Sequence, residues 1–163
     1  MIELIIVMET RASNESDWKY IKSALDYYYK PRTYGITKIF AKCKPELMKQ
    51  DKRIEQAVKN AAPRKPMVVV CADYDRSTDE SNNDIIDYCK SNEFYLVWMN
   101  LDIEDVFWGE QIDDKYKSEK SNSFQRKKDK LLANVCGLNE ANPLKKRHKS
   151  NLLVICDKFL ARK

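Results

Sequence analysis

The sequence predicts an α/β protein: a mainly parallel sheet with helices on both of its faces. Three observations lead there. Short, almost unbroken apolar runs recur along the first two-thirds of the chain, as in strands buried on both sides. Each is followed by a segment of helical period about a dozen residues long, the length that a right-handed crossover between parallel strands needs. The 163 residues, 43% of them hydrophobic, also show no internal repeat and no break in composition, so one core is expected.

The elements follow in order. Residues 2–8 (IELIIVM) read as a nearly continuous apolar strand. Ser13 or Asn14 is placed to cap a helix running to about Tyr29, with Trp18, Ile21, Leu25 and Tyr28 on one face. Pro31 and Gly35 punctuate its exit, and residues 36–41 read as a second strand. Pro45 opens a second helix through Leu47, Ile54 and Val58 to Ala61, which Pro63 and Pro66 stop. Residues 67–72 (MVVVCA) are the strongest strand signal and run directly into Asp73-Tyr74-Asp75. A helix over residues 82–90 turns Ile85, Ile86 and Cys89 inward, residues 94–99 form a fourth strand, and residues 102–110 a short helix led by acids. Residues 116–123 are polar and read as a mobile loop. Residues 124–136 and 150–162 read as helices, although 152–156 would also serve as a strand. The chain thus divides into an α/β core, residues 1–112, and a basic, mainly helical extension, residues 113–163, packed on the same domain.

Composition excludes several classes. With only 3 glycines and 5 prolines, the chain is neither collagen-like nor a linker. No apolar run approaches the ~18 residues of a membrane span. The first apolar stretch has neither the basic leader nor the small-residue cleavage site of a signal peptide. A soluble, cytoplasmic protein without membrane contact is expected. The five cysteines (43, 71, 89, 136 and 156) form no CxxC and no tight cluster, which favours buried thiols over a zinc site. The one histidine, His148, excludes the two-histidine HExxH hydrolases, and no serine sits in a nucleophile elbow that could use it in a triad. Charge is unevenly spread. Residues 113–163 carry 14 Lys/Arg against 6 Asp/Glu, and the other 112 carry 16 against 19. A basic third beside an acidic remainder suits a polyanionic partner near an acidic site.

In a parallel α/β sheet, ligands bind outside the carboxyl ends of the strands, and here those ends are acidic. The first strand ends at Glu9, the third at Asp73 and Asp75, and the fourth leads to Asp102, Glu104 and Asp105. If both Asp73 and Asp75 extend the strand, they lie on one face, roughly 6.5–7 Å apart at Cα. Oxygen-only donors of this kind suit Mg²⁺ or Mn²⁺ rather than zinc. Each acid also has a local reading, as a cap or an Asx-turn residue, and Asp102 is well placed to cap the helix that follows it.

The pattern resembles the Toprim domain of topoisomerases, primases and overcoming-lysogenization-defect nucleases. The matching residues are Leu4-Ile5-Ile6-Val7-Met8-Glu9, then Ser16-Asp17 opening a helix, then Val68-Val69-Val70-Cys71-Ala72-Asp73-Tyr74-Asp75. The segment Asp102-Ile103-Glu104-Asp105-Val106-Phe107-Trp108 is similar to one in compact Toprim-like proteins of bacterial defence systems, such as the RloB-like group. The resemblance covers about residues 2–110. It implies a Toprim/Rossmann-like sheet and Mg²⁺- or Mn²⁺-dependent nuclease chemistry on phosphodiesters, in a defence system or a mobile element. Glu9, Asp73 and Asp75 would be the catalytic residues, holding metal together with Glu104, and Glu9 would be either a ligand or the general base. The chain departs from the typical pattern in having Thr10-Arg11 after the Glu and Arg76-Ser77-Thr78 after the Asp pair, where glycines are common.

The expected partner is nucleic acid, DNA or RNA. Arg11, Arg76, Arg126, Lys127, Lys128, Lys130, Lys145, Lys146 and Arg147 are the candidates to hold its backbone, with Trp108 or Phe124 stacking on bases. The alternative is a non-catalytic nucleic-acid-binding or protein-interaction module on a degenerate Toprim-like fold, acting through a protein partner or a second copy of the chain. Tyr27-Tyr28-Tyr29 would then offer an interface. A receiver-like phosphorylation switch ranks last, because Glu9 is followed by Thr10-Arg11 rather than by a second acid.

Overall fold

The structure, a computed structural model, describes residues 1–10, 13, 15–74, 79–134 and 137–163, and of Asp79 the backbone alone. Strands β1 (Ile2–Glu9), β2 (Tyr34–Ala41), β3 (Lys65–Tyr74) and β4 (Tyr95–Asn100) form one sheet in the order β2-β1-β3-β4, every pair parallel. Helix α1 (Ser16–Tyr28) joins β1 to β2. Helices α2 (Lys44–Leu47) and α3 (Asp51–Ala61) join β2 to β3, and α4 (Asp79–Ser91) joins β3 to β4. Beyond β4 come α5 (Ile103–Trp108), α6 (Lys117–Arg126), α7 (Lys128–Leu132) and α8 (Leu152–Cys156), with 3₁₀ turns at Asp114–Tyr116 and Pro143–Lys145. The protein is therefore α/β on a parallel sheet, as the sequence predicts. Among the described residues no helix is long and apolar enough to cross a membrane.

The alternation of side chains along each strand divides the core in two. Leu4, Ile6 and Met8 of β1 join Val69, Cys71, Val97 and Met99 beneath α1 and the helices that follow β4. Ile5 and Val7 point the other way and join Ile39, Val68, Val70 and Ala72 beneath α2, α3 and α4. Helices on both faces leave no solvent side, which is why the strands read as continuous apolar runs. Three thiols fill these layers: Cys71, Cys89 and Cys156 are buried and free, Cys43 is exposed, and Cys136 lies outside the described residues.

Several boundaries differ from the sequence reading, each for a local reason. Helix α1 starts at Ser16, with Glu15 in a left-handed conformation (φ 47°) at its cap position and no side-chain cap; Asn14 lies outside the described residues. The helix expected from Pro45 to Ala61 is two helices. Its break falls where Gln50 Nε2 donates to the Glu46 carbonyl at 2.9 Å, and Val58 faces solvent. Pro66 lies inside β3, ahead of Val69 where pairing with β4 begins. On α4, Ile85 and Cys89 are buried but Ile86 is exposed, because four residues return to the same face and one does not. Residues 152–156 are helical rather than a strand, and that helix ends at Cys156, short of the expected 162.

The largest correction concerns residues 116–123. They are not a loop: α6 spans most of them, with Ser121 fully buried and its hydroxyl donating to the Ser118 carbonyl at 2.9 Å. The anchor is Phe124, fully buried against Tyr20 (ring centroids 5.1 Å), Phe107 (5.3 Å) and Trp108 (5.6 Å). This cluster fastens α6 to α1 and α5, so the basic third shares the core of the sheet. Tyr29 is likewise buried, its hydroxyl donating to Asp157 Oδ1 at 2.9 Å, which removes it from any interface. Replacing Phe124 with alanine is expected to destabilise the fold by about 3–5 kcal/mol, the range for deleting a fully buried phenyl ring. Urea denaturation of F124A checks this; a loss below about 1 kcal/mol would mean the extension does not contribute to the core.

Candidate functional site

The sheet order determines where a site can form. The connection from β1 runs to β2 on one side, and the connection from β3 runs to β4 on the other. A crevice therefore opens between the carboxyl ends of β1 and β3, the topological switch point at which doubly wound sheets bind ligands. A cleft of about 470 Å³ lies there, with Glu9, Thr10, Asp17, Asp73, Glu104 and Lys117 in its lining. Glu9 is the last residue of β1. Asp73 continues the Val69–Cys71 side of β3, the side that α1 covers. Asp17 comes from the first turn of α1, and Glu104 from the first turn of α5. Helix α5 is held at both ends: Asp102 Oδ1 accepts from the Asp105 amide at 2.7 Å, and Gly109 closes it with φ 71°.

The carboxylates perturb one another. Burial pushes Asp73 well above the ordinary aspartate range, and Asp17, Glu9, Asp102 and Glu104 add repulsion. Asp17 is raised from 3.8 to about 7, first by burial and then by Glu104 and Glu9, against the Ser16 hydroxyl and Lys117, which lower it. The Ser16 hydroxyl donates to Asp17 Oδ1 at 3.0 Å. Glu104 is also raised, first by burial, against the pull of Lys117. Lys117 is the internal counter-charge: its Nζ lies 3.2 Å from Asp114, 3.4 Å from Asp102 and 3.6 Å from Glu104. Burial opposes its charge, but these acids more than offset that and hold the ammonium above its ordinary value. In the cleft wall, Thr10 Oγ1 is buried and has no hydrogen-bond partner among the described residues.

The donor set is all oxygen, the chemistry of a hard cation such as Mg²⁺ or Mn²⁺. Among the described residues no three carboxylate, thiol or imidazole side chains stand at the spacing of a closed metal site. Mg²⁺ does not require one, since it keeps several waters and is held through one or two carboxylates plus substrate phosphates. On donor chemistry, the residues present fit such an ion.

Of the residues singled out from the sequence, Glu9, Asp73 and Glu104 line one cleft. Asp75, Arg11 and Arg76 lie outside the described residues. Arg126, Lys127 and Lys130 are exposed at the end of α6 and along α7, while Lys128 Nζ is tied to Asp26 Oδ2 at 3.3 Å. Lys145, Lys146 and Arg147 lie far along the chain in another exposed segment, with Lys146 paired to Glu140 at 2.9 Å. Phe124 is not available to stack on a base, being fully buried. Trp108 is half-buried, with its Nε1 donating to the Tyr20 hydroxyl at 2.9 Å and Lys120 over its ring. Several cleft residues escaped sequence reasoning as site members, Asp17, Thr10 and Lys117 among them. Asp17 read as a helix start, Thr10 as a departure from pattern, and Lys117 as one basic residue among many. Only Asp17 carried a signal, its place after an acid-ended strand.

Compared with known proteins, the chain matches no family model, no curated protein and no solved structure. Its class rests on its architecture, an α/β protein with an acidic cleft at the switch point of a four-stranded parallel sheet.

A carboxyl raised in the fold favours the native state when protonated. Its contribution is full below about pH 4 and is lost as the pH rises through about 7 for Asp17. In chelator, the melting temperature is therefore expected to fall across that window. Asp17→Asn should flatten the fall and stabilise the protein at pH 8 by at least about 1.4 kcal/mol, the equivalent of one pKa unit. Thermal scans from pH 4 to 8 check both; identical profiles for the two proteins would refute the shift.

Proposed function

We propose that the cleft hydrolyses nucleic-acid phosphodiesters with the help of Mg²⁺ or Mn²⁺, as a Toprim-like nuclease would. The observation that carries the reading is the meeting of Glu9 and Asp73 with Asp17 and Glu104 at the switch point, where burial and mutual repulsion leave negative charge that Lys117 offsets only in part. Such a cluster is costly to maintain without a cation or a task. Glu9 and Asp73 would hold the ion, which when bound polarises the phosphodiester and makes a water more acidic. Asp17, near neutrality by burial, would accept the proton of the attacking water as its oxygen bonds to phosphorus. The bond from phosphorus to the leaving oxygen breaks and that oxygen takes a proton from solvent, giving a phosphate monoester and a hydroxyl end. Lys42 at the cleft would supply a positive charge to a non-bridging phosphate oxygen. The exposed Arg126, Lys127 and Lys130 would track the strand beyond the cleft.

Lys117 also supports a second reading, a domain that binds nucleic acid without cutting it, because a resident ammonium already satisfies part of the acidic cluster. One substitution separates the two. Asp73→Asn keeps size and hydrogen bonding but removes a charge, so Mn²⁺-dependent cleavage of single-stranded DNA or RNA should fall by about a hundredfold or more. Melting temperature in chelator should hold or rise. If the parent protein binds oligonucleotides but cuts none with any divalent ion, the binding reading replaces the nuclease.

Binding itself should be salt-sensitive. With ~4–6 phosphates neutralised, the log–log slope of affinity against salt is expected near −3 to −5. Replacing Arg126, Lys127 and Lys130 together with alanine should flatten it by about 2–3. Fluorescence anisotropy over a salt series measures both, and an unchanged slope would remove these residues from the interface.

A further inference from the structure

A second cavity, of about 450 Å³, borders the C-terminal half of α5. Trp108 and Leu131, over the buried Val106 and Phe107, form its apolar wall, and Arg147, His148 and Lys149 its basic rim. Its volume falls within the range of small-molecule sites. The rim is a built structure rather than a loose basic loop. Asn100, fully buried at the end of β4, donates through Nδ2 to the carbonyls of Pro143 (2.7 Å) and Lys146 (2.6 Å), and its amide donates to the Lys149 carbonyl at 3.0 Å. The Ser150 amide donates to the Gly137 carbonyl at 2.7 Å. Gly137 is obligatory there, since a Cβ would stand 2.3 Å from the His148 carbonyl oxygen.

His148 occupies the left-handed region (φ 57°), a conformation histidine adopts more readily than most residues with a side chain. Its Nδ1 lies 2.9 Å from Oδ2 of Asp105, a carboxylate almost wholly buried. Both atoms are buried, and neither makes a hydrogen bond of good geometry among the described residues, with each other included. The carboxylate therefore stands beside the imidazole of a residue that lines the cavity.

We propose that this cavity takes a nucleotide, with the base against the wall of Trp108 and Leu131 and the phosphate on Arg147, His148 and Lys149. An apolar pocket beside three clustered nitrogen donors matches a ligand with one flat apolar end and one anionic end. The choice of a nucleotide over another anionic aromatic rests on the phosphodiester reading of the cleft. One six-residue helix lines both sites, with Glu104 of its first turn at the cleft and Trp108, about 6 Å further along its axis, at the cavity.

Because the chain has a single histidine, its imidazole proton resonances need no assignment. Titrating the full chain in chelator with AMP, UMP and inorganic phosphate should shift those resonances saturably with the nucleotides, and at least about tenfold more weakly with phosphate alone. Arg147→Ala, an exposed position that leaves the fold intact, should weaken nucleotide affinity by about tenfold. Leu131→Trp should abolish binding by filling the cavity, and Asp73→Asn should leave it unchanged. Equal affinity for nucleotide and phosphate, or silent histidine resonances, would overturn the proposal. Failure of the cleft is distinguishable: nucleotide binding with no cleavage under any divalent ion removes the nuclease and keeps this site, and cleavage with silent resonances does the reverse.

Discussion

The structure depends on one constraint, the burial of β1 on all sides. Its edges are taken by β2 and β3 and its faces by two helical layers, so Leu4, Ile5 and Val7 are fully inaccessible to solvent. Between Glu3, which is buried only because Arg64 and Thr37 pair with it, and Glu9, where the strand emerges, β1 is apolar throughout. The same holds for β3, apolar from Val68 to Ala72 and acidic at Asp73. Right-handed parallel crossovers then bring both ends to one rim of the sheet, and the reversal in connection direction opens a cleft between them. The charge at the site is thus a consequence of where enclosure stops.

Gathering carboxylates at such a rim works against the fold, and the protein limits the penalty in two ways. Lys117 enters from α6 and contacts Asp102, Glu104 and Asp114. Asp17 and Asp73, which it does not pair, are held above the ordinary range, so they take up protons more readily than exposed aspartates. The position of Lys117 depends in turn on the aromatic cluster around Phe124, because that packing sets α6 against α1 and α5. The basic third is therefore structural support for the acidic site as well as a source of positive charge.

Helix α5 shows how little chain is needed to organise two environments. It has six residues, an aspartate cap and a glycine stop. Glu104 turns toward the acidic cleft, Asp105 toward His148, and Val106 and Phe107 toward apolar packing. Successive residues on a helix differ in direction by about 100°, so neighbouring acids serve separate places.

By itself the sequence determined the strands, the parallel sheet and the acids at its rim, because enclosure writes continuous apolar runs that end abruptly in charge. Glu9, Asp73 and Glu104 were legible for that reason. Asp17, Thr10 and Lys117 were not, since an acid in a first helical turn, a threonine after a strand and a lysine in a basic segment each have common local explanations. Residues 116–123 looked like a loop because only Ser121 and Phe124 of α6 are buried, too few to write a helical period. His148 looked idle because its partner, Asp105, lies 43 positions earlier in the chain. What only the tertiary structure decided is which charged residues meet. Charge pairing acts over a few ångströms regardless of sequence separation and leaves no periodic signal in the chain.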